Sequence, residues 1–265
     1  MPSENYSFLD VAVLDEVRTR FAAGDALLIL SADLDQVLWA NGPGAAVLGH
    51  ADIEAAIEAP ADLPPVAKRQ ITATAGFPAI GRNRALLVRL SRGMATQAIG
   101  FQASAVTMPD GEAAILLSVP VQQTGSRSVV EIAERAISGF TTDGQFLAFI
   151  DGSGHVEAAS QGFPELGITT ETLAALAGET GRDHERTLKR RVQAGKRALP
   201  AGMARLTDDP ERHLLVVIDD GSTDRADTAP TATIPTGNGP TTCRAGPGAP
   251  RFRRKDRSRK WWRHP

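Results

Sequence analysis

Few residues of this chain are spaced for chemistry, and each group that is points to one specific possibility. Gly42-Pro43-Gly44-Ala45-Ala46-Val47 follows a hydrophobic run and precedes a helical pattern, which is the setting of a dinucleotide-binding loop. Val47 stands where that fingerprint needs its third glycine, and no second parallel strand ends in an acidic residue about 20 positions on. Both departures argue against nucleotide chemistry. His155, His184 and His213 fall in a turn, at a helix start and at a strand edge, without metal-ligand spacing, and read as solvated side chains. Neither Gly-x-Ser-x-Gly nor Ser-x-x-Lys occurs, and Asp208 and Asp209 lie in a hairpin turn, where Asp belongs for structural reasons. The sequence thus offers no catalytic residue, no cofactor-binding residue and no metal ligand.

Composition narrows the classes further. A chain of 265 residues with 42% hydrophobic content has room for one or two ordinary cores. Its longest apolar runs, AAILLSVPV from 113 and LLVVI from 214, fall short of the roughly 20 residues that cross a bilayer, so no membrane span is expected. MPSENYSFLD at the start lacks a basic segment ahead of an apolar one, which predicts a cytoplasmic protein. The lone Cys243 excludes a disulfide framework and a multi-cysteine metal site. The net charge of −2 divides unevenly. Residues 221–265 hold ten Lys or Arg against three Asp, an excess of +7, which leaves −9 on the rest. An acidic body carries no footprint for nucleic acid. The basic RFRRKDRSRKWWR at 251–263 has cations for phosphates and Trp rings for bases, but needs no function if it is a missense tail.

Hydrophobic periodicity then supplies the elements. Leu9, Val13, Val17 and Phe21, spaced by four, predict one helix over Leu9–Phe21, which covers its own sheet or pairs with a second copy. Leu27–Leu30 and Gln36–Ala40 read as antiparallel strands joined by a turn carrying Asp33 and Asp35, with Trp39 a core residue. Asn41 sits at the junction with a short helix from Gly42 to Gly49, where its amide can hold local backbone groups. Helices over Ile53–Glu58 and Val66–Thr74, the latter with Pro65 in its first turn, precede strands at Ala85–Leu90, Met94–Val106 and Glu112–Val121. Turns at Arg92-Gly93 and Pro109-Asp110-Gly111 connect those three strands.

A linker at Thr124–Arg127 leads to Ser128-Val129-Val130-Glu131, a capping box that opens a helix with Val129, Ile132/Ala133, Ala136/Ile137 and Phe140 on one seam. That seam either dimerises the chain or packs on the following domain. From Phe146 the opening pattern recurs: LAFIDGSGHVEAASQGFPELG overlays LILSADLDQVLWANGPGAAVLG, with Ser160 near the Asn41 position and Gly167 matching Gly49. This is a repeat at about 118 residues, a spacing suited to tandem domains. Helices are expected at Glu171–Ala177 and His184–Val192, then a hairpin from Ala201–Thr207 to His213–Asp219, so the second copy reads as reduced, with fewer strands. After Asp220 the Pro- and Gly-rich sequence has no period, and disorder is expected.

Two strands, Asn41, a short helix and Gly49, followed by further helices and three strands, resemble the opening of a PAS domain. The stretch from SFLDVAVLDEVRTRFAAGD to VTMPDGEAAILLSVP resembles the sensory N-terminal region of bacterial cell-cycle histidine kinases of the PleC/DivJ-homologue (PdhS) type, over about residues 5–220. The fold class this implies is α+β: tandem PAS-like domains, each an antiparallel sheet with short flanking helices, and a disordered C-terminal tail. The implied division is an N-terminal helix plus first domain at 1–122, a linker helix at 123–140, a reduced second domain at 141–220 and the tail at 221–265. A haem-binding PAS would need an axial His, for which His184 is the candidate; a flavin photosensor needs a cysteine in the domain, and Cys243 is in the tail.

The family would continue into a dimerising helix pair with a phosphorylated His and an ATP-binding domain. Here no His followed by an acidic residue stands on a paired helix, and no Asn-bearing or Gly-rich ATP motif occurs, so the kinase domains are expected to be absent and no enzymatic activity is expected. The Arg/Pro/Gly/Trp bias of the tail fits a shifted reading frame. The implied function is a cytoplasmic sensory and interaction module of a two-component phosphorelay. Its implied partners are a second copy or an intact sensor kinase, and, by pathway, a single-domain response regulator of the DivK kind. The alternatives are a PAS sensor that binds a small molecule, and a fragment whose kinase identity is inherited from the full-length family.

Overall fold

The computed structural model describes residues 6–57, 59–92, 95–121 and 128–219. Expectations for Gly93, for Thr124–Arg127 and for the tail at 221–265 lie outside the described residues. The first copy of the repeat supplies β1 (Ala26–Ser31), β2 (Val37–Ala40), β3 (Arg84–Arg92), β4 (Ala95–Thr107) and β5 (Ala113–Val119). Between β2 and β3 lie α3 (Gly42–Leu48), α4 (Ile53–Ala56) and α5 (Pro65–Thr72), and ahead of β1 lie α1 (Phe8–Ala12) and α2 (Arg18–Ala22). The strands form an antiparallel sheet in the order β2-β1-β5-β4-β3, and their succession along the chain, two strands, short helices and three strands, is the one that the PAS resemblance implies. A single connecting helix, α6 (Val129–Ala136), leads to β6 (Gln145–Asp151), β7 (Val156–Ala159), α7 (Thr170–Thr180), β8 (Thr187–Ala194), β9 (Arg197–Asp208) and β10 (Glu211–Ile218). These strands form a second sheet in the order β7-β6-β10-β9-β8, so both sheets have the same topology.

The repeat extends to irregular detail. β1 and β2 pair through Leu28 with Ala40 and shift register between Ile29 and Leu30, while β6 and β7 pair through Ala148 with Ala159 and shift between Phe149 and Ile150. Ala148 therefore occupies the place of Leu28, one residue on from the overlay that the sequence suggests. Ser31 and Asp151 then correspond. The Ser31 hydroxyl accepts from Asp35 and Gln36 N–H, and the Asp151 carboxylate accepts from Ser153 and His155 N–H, so each closes its hairpin turn from the same position.

Asn41 does at the first junction what an amide at that place can do. It is fully buried; its Oδ1 accepts from Leu27 N–H at 2.9 Å and from Gly44 N–H at 2.9 Å, and its Nδ2 donates to the Asp25 carbonyl at 2.7 Å. One side chain thus ties the start of β1 to the N-terminus of α3. Ser160 repeats the part that a hydroxyl can manage, accepting from Leu147 N–H at 2.9 Å. The capping box on α6 is present as expected, with Ser128 and Glu131 bonded reciprocally at 3.2 and 2.7 Å.

Two elements differ from expectation. The helix predicted over Leu9–Phe21 is two short helices, α1 and α2, with a turn between them. In one straight helix Phe8 and Val17 would point roughly 180° apart. Breaking the helix lets Phe8, Leu9, Val11, Val17 and Phe21 all be buried. The helix predicted over His184–Val192 is instead a turn followed by β8, so the second sheet has five strands and is not reduced. Strong helix formers, Lys189, Arg190 and Arg191, mislead there: β8 pairs with β9 over eight residues, and long-range pairing overrides local propensity.

Removing the buried anchors should separate their weights. Asn41→Ala leaves two N–H groups and one carbonyl unsatisfied and should cost about 3 kcal/mol, whereas Ser160→Ala, which orphans one N–H, should cost about 1 kcal/mol. Urea midpoints of the two variants check this; equal losses would contradict the assigned roles.

Candidate functional site

The central strands of the second sheet, β6, β10 and β9, are largely buried on both faces, and alternation assigns their residues. Ala148, Ile150, Ala201, Met203, Leu215 and Val217 pack with Leu173, Leu176 and Ala177 of α7. Their neighbours Leu147, Phe149, Ala204, Leu206, Leu214 and Val216 join the larger core that holds α1, α2 and the first sheet. The N-terminal helices therefore lie between the two sheets, in contact with β9 on one side and β1 on the other. Phe8 anchors them, stacked on Trp39 with centroids 4.8 Å apart and edge-on to Phe21 and Phe140 at 6.1 and 5.1 Å. Trp39 is a core residue, as its place in the alternation implies, and its Nε1 donates to the Phe8 carbonyl at 3.3 Å.

Charges fix how the wedge sits. Asp10 accepts from the Ser7 N–H and hydroxyl at 2.7 and 2.8 Å, capping α1, and also takes Lys189 of β8 at 2.8 and 2.9 Å. Arg18 of α2 donates to the Leu206 carbonyl at 3.1 Å and reaches Asp208 at 3.8 Å. Asp208 ends β9 and gathers two more guanidinium groups, Arg186 in a two-point contact at 2.8 and 3.1 Å and Arg205 at 3.1 Å. The Arg186 hydrogen bonds hold the Asp208 carboxyl below its ordinary range. A polar cleft of about 690 Å³ opens beside this cluster, between the Val13–Asp15 turn and the turn that runs from Gly181 to Arg186.

The residues singled out by sequence are scattered. His155 and His184 are exposed in turns, and His184, followed by Glu185, lies on no helix. His213 departs from its expected solvated state: it is fully buried on β10, opposite Arg205, with its Nε2 3.6 Å from Glu211. Burial, then the Arg205 charge, push its pKa down to about 4. Among the described residues no group of three His, Cys, Asp or Glu is placed to hold a metal ion. The glycines of the dinucleotide-like stretch serve the chain's own packing. A Cβ on Gly42 would meet the Ser138 carbonyl oxygen at 1.8 Å, and one on Gly44 the Leu27 carbonyl oxygen at 1.9 Å. The Asp10–Lys189 and Arg18–Asp208 pairs had no signal in the sequence, because each joins residues more than 170 positions apart.

No protein-family model matches the chain. It is 40% identical over 232 residues to the cell-division control histidine kinase PdhS of Brucella anthropi, a match that covers 88% of this chain and 20% of that protein. It is also 40% identical over 218 residues to PdhS of Brucella canis, covering 82% of this chain and 20% of that one. The chain thus spans about one fifth of the length of these relatives, and it is related in sequence to that portion of the PdhS histidine kinases. Among solved structures it is similar to the chromophore-binding domain of Stigmatella aurantiaca bacteriophytochrome, with 15% identity, 74% of this chain, 85% of that chain and a TM-score of 0.28. It is similar as well to the periplasmic sensory domain of the Campylobacter jejuni chemoreceptor Tlp1, with 13% identity, 76% and 74% coverage and a TM-score of 0.27. TM-scores this low add nothing to the strand order. No described helix is long and apolar enough to cross a membrane.

Phe8→Ala tests the wedge. Losing the ring from a buried aromatic cluster should cost about 3 kcal/mol. Amide exchange should then rise first in α1 and α2, while the core under α7 keeps its protection. Uniform loss across both sheets would show that the helices are no separate wedge.

Proposed function

We propose that the chain is a sensory and interaction region of a PdhS-type histidine kinase, acting on kinase output through protein contacts and not through chemistry of its own. The observation that carries the reading is the 40% identity over 232 residues, a length that must take in both copies of the repeat. The division into a first domain at 1–122, a connecting helix at 123–140, a second domain at 141–220 and a tail at 221–265 is part of the proposal, with the N-terminal helices serving both domains. The packing supports contact function over ligand chemistry in the first domain, since the helices over its sheet fill the interior with Ile53, Ala56, Ala67 and Ile71, all at most 1% exposed.

On this reading the module works in the cytoplasm, in a phosphorelay that ends on a single-domain response regulator, and it associates with a second copy or with an intact kinase. Val129 and Val130 on α6, 45% and 48% exposed, are the apolar side chains that the connecting helix leaves for such a partner. Phosphoryl transfer needs an accepting His on a dimeric helix pair and a domain that positions ATP and Mg²⁺. His184, the one described His followed by an acidic residue, stands in an exposed turn.

The purified chain should therefore neither hydrolyse ATP nor acquire acid-labile phosphate when incubated with labelled ATP. It should co-purify with an intact PdhS-type kinase and lower that kinase's autophosphorylation, because a mixed dimer occupies the kinase's sensory surface without pairing it with a second intact kinase. Incorporated label would overturn the non-catalytic reading. A monomeric chain that ignores the intact kinase would overturn the regulatory one.

A further inference from the structure

The face of the second sheet that packs under α7 ends in a charged cluster around a buried histidine. His213 is fully buried, and neither ring nitrogen has a hydrogen-bond partner. Arg205 stands directly opposite on β9, and its Nη1 donates to the Gly181 carbonyl at 3.0 Å, at the C-terminal end of α7, where a cation suits the helix dipole. Glu211 stands between the two side chains, 3.5 Å from the Arg205 Nε and 3.6 Å from the His213 Nε2. The other charges nearby are accounted for. Asp151 at the end of β6 acts on His213 through space, Arg212 pairs with Glu157 of β7, Glu179 of α7 pairs with Arg190, and Arg186 is held by Asp208. Arg182, Asp183, His184 and Glu185 are exposed in the turn after α7.

We propose that His213, Glu211 and Arg205 form a proton-operated latch on the C-terminal end of α7: when His213 takes up a proton, Glu211 turns to it, Arg205 leaves the Gly181 carbonyl, and the turn over 181–186 opens. The physical basis is competition for Glu211 together with like-charge repulsion, which drives the Arg205 guanidinium toward Asp208, the carboxylate 3.1 Å from its Nε. A neutral ring leaves Glu211 to Arg205, whereas an imidazolium opposite Arg205 puts two like charges on a cross-strand pair and recruits the oxygen 3.6 Å away. The opened turn is one wall of the cleft beside the N-terminal helices, and Arg205 also contacts Asp208, the carboxylate that Arg18 of α2 approaches. Protonation in the second domain is thereby felt at the wedge.

The direction with pH is fixed. Burial and the Arg205 charge push the His213 pKa down to about 4 in the closed latch, against about 6.5 for an ordinary hydrated imidazole, so the closed latch binds fewer protons than the open one. The contribution of the neutral ring to closure is fully present above about pH 6.5 and is lost as pH falls toward 4. Between pH 7 and pH 5 the opening constant should rise roughly twentyfold.

Amide exchange of the full chain, corrected for intrinsic rates, reads this as a drop in protection over residues 176–186, with β6 and β10 changing much less. In His213→Leu the step should vanish, and in Arg205→Met protection over the same residues should be low at pH 7 already. A step of unchanged size in His213→Leu, or a parallel loss across the whole sheet, overturns the latch. Should either variant fail to fold, the wild-type chain decides by nuclear magnetic resonance. Coincident midpoints for the His213 ring and the 180–186 amides support the proposal, and separate midpoints overturn it.

Discussion

Burial of the N-terminal helices between two sheets is the constraint on which the rest of the molecule depends. α1 and α2 have five residues each, far below the length at which an isolated helix is stable in water. They exist because Phe8, Leu9, Val11, Val17 and Phe21 are taken out of water by both neighbours, each worth about 1.5–3 kcal/mol before ordering costs. The dependence runs the other way too. Without the wedge, Leu206, Leu214 and Val216 on one sheet and Trp39 on the other would face solvent, and such a surface associates or aggregates.

The two copies meet the same geometric demand with different chemistry. A strand must turn into a helix while its first backbone groups stay bonded, and Asn41 does this with three hydrogen bonds where Ser160 offers one. The first copy then covers its sheet with α3, α4 and α5, whereas the second relies on a short 3₁₀ turn at Pro164–Leu166 and on the eleven-residue α7. Fewer covering elements leave the end of α7 to be fastened by polar contacts. That is where Arg205, Glu211 and the buried His213 are found, in the copy whose helical cover is thinner.

The sequence made the first sheet legible because its strands alternate or run wholly apolar between strong turn signals, and its helices carry their caps: Asn41 and Gly49 around α3, Pro65 in α5, Ser128 and Glu131 at α6. It failed where tertiary context overrides pattern. Spacing by four in Leu9, Val13, Val17 and Phe21 is a sound helix signal, but a segment buried on two sides has no single stripe to keep. β8 presents a mostly exposed edge, so only Val192 and Ala194 along it are buried and its alternation is faint among Lys and Arg. His213 reads as solvated in the sequence because a polar residue at the start of LLVVI gives no sign of which side faces water. The charged contacts of the wedge were invisible for a simpler reason: no local spacing encodes a partner more than 170 residues away.

Apolar burial and charge pairing have separate tasks at the wedge. Packing of Phe8 and Phe21 against Trp39 is non-directional and would tolerate a helix turned or slid by part of a turn. The ion pairs would not. Asp10 with Lys189 and Arg18 with Asp208 connect α1 and α2 to two different strands of the second sheet, β8 and the end of β9, so together they fix both rotation and position. Such half-buried pairs add little net stability, because desolvation offsets most of their attraction. They make one docking of the helices better than its neighbours. Since the first sheet grips the same helices through Phe8 and through the Arg20 hydrogen bond to Ser118, a shift in either sheet must be taken up by the other or by the wedge. Close-packed interiors do not absorb such shifts gradually, so the two repeats are mechanically joined through ten helical residues as well as through the chain at α6.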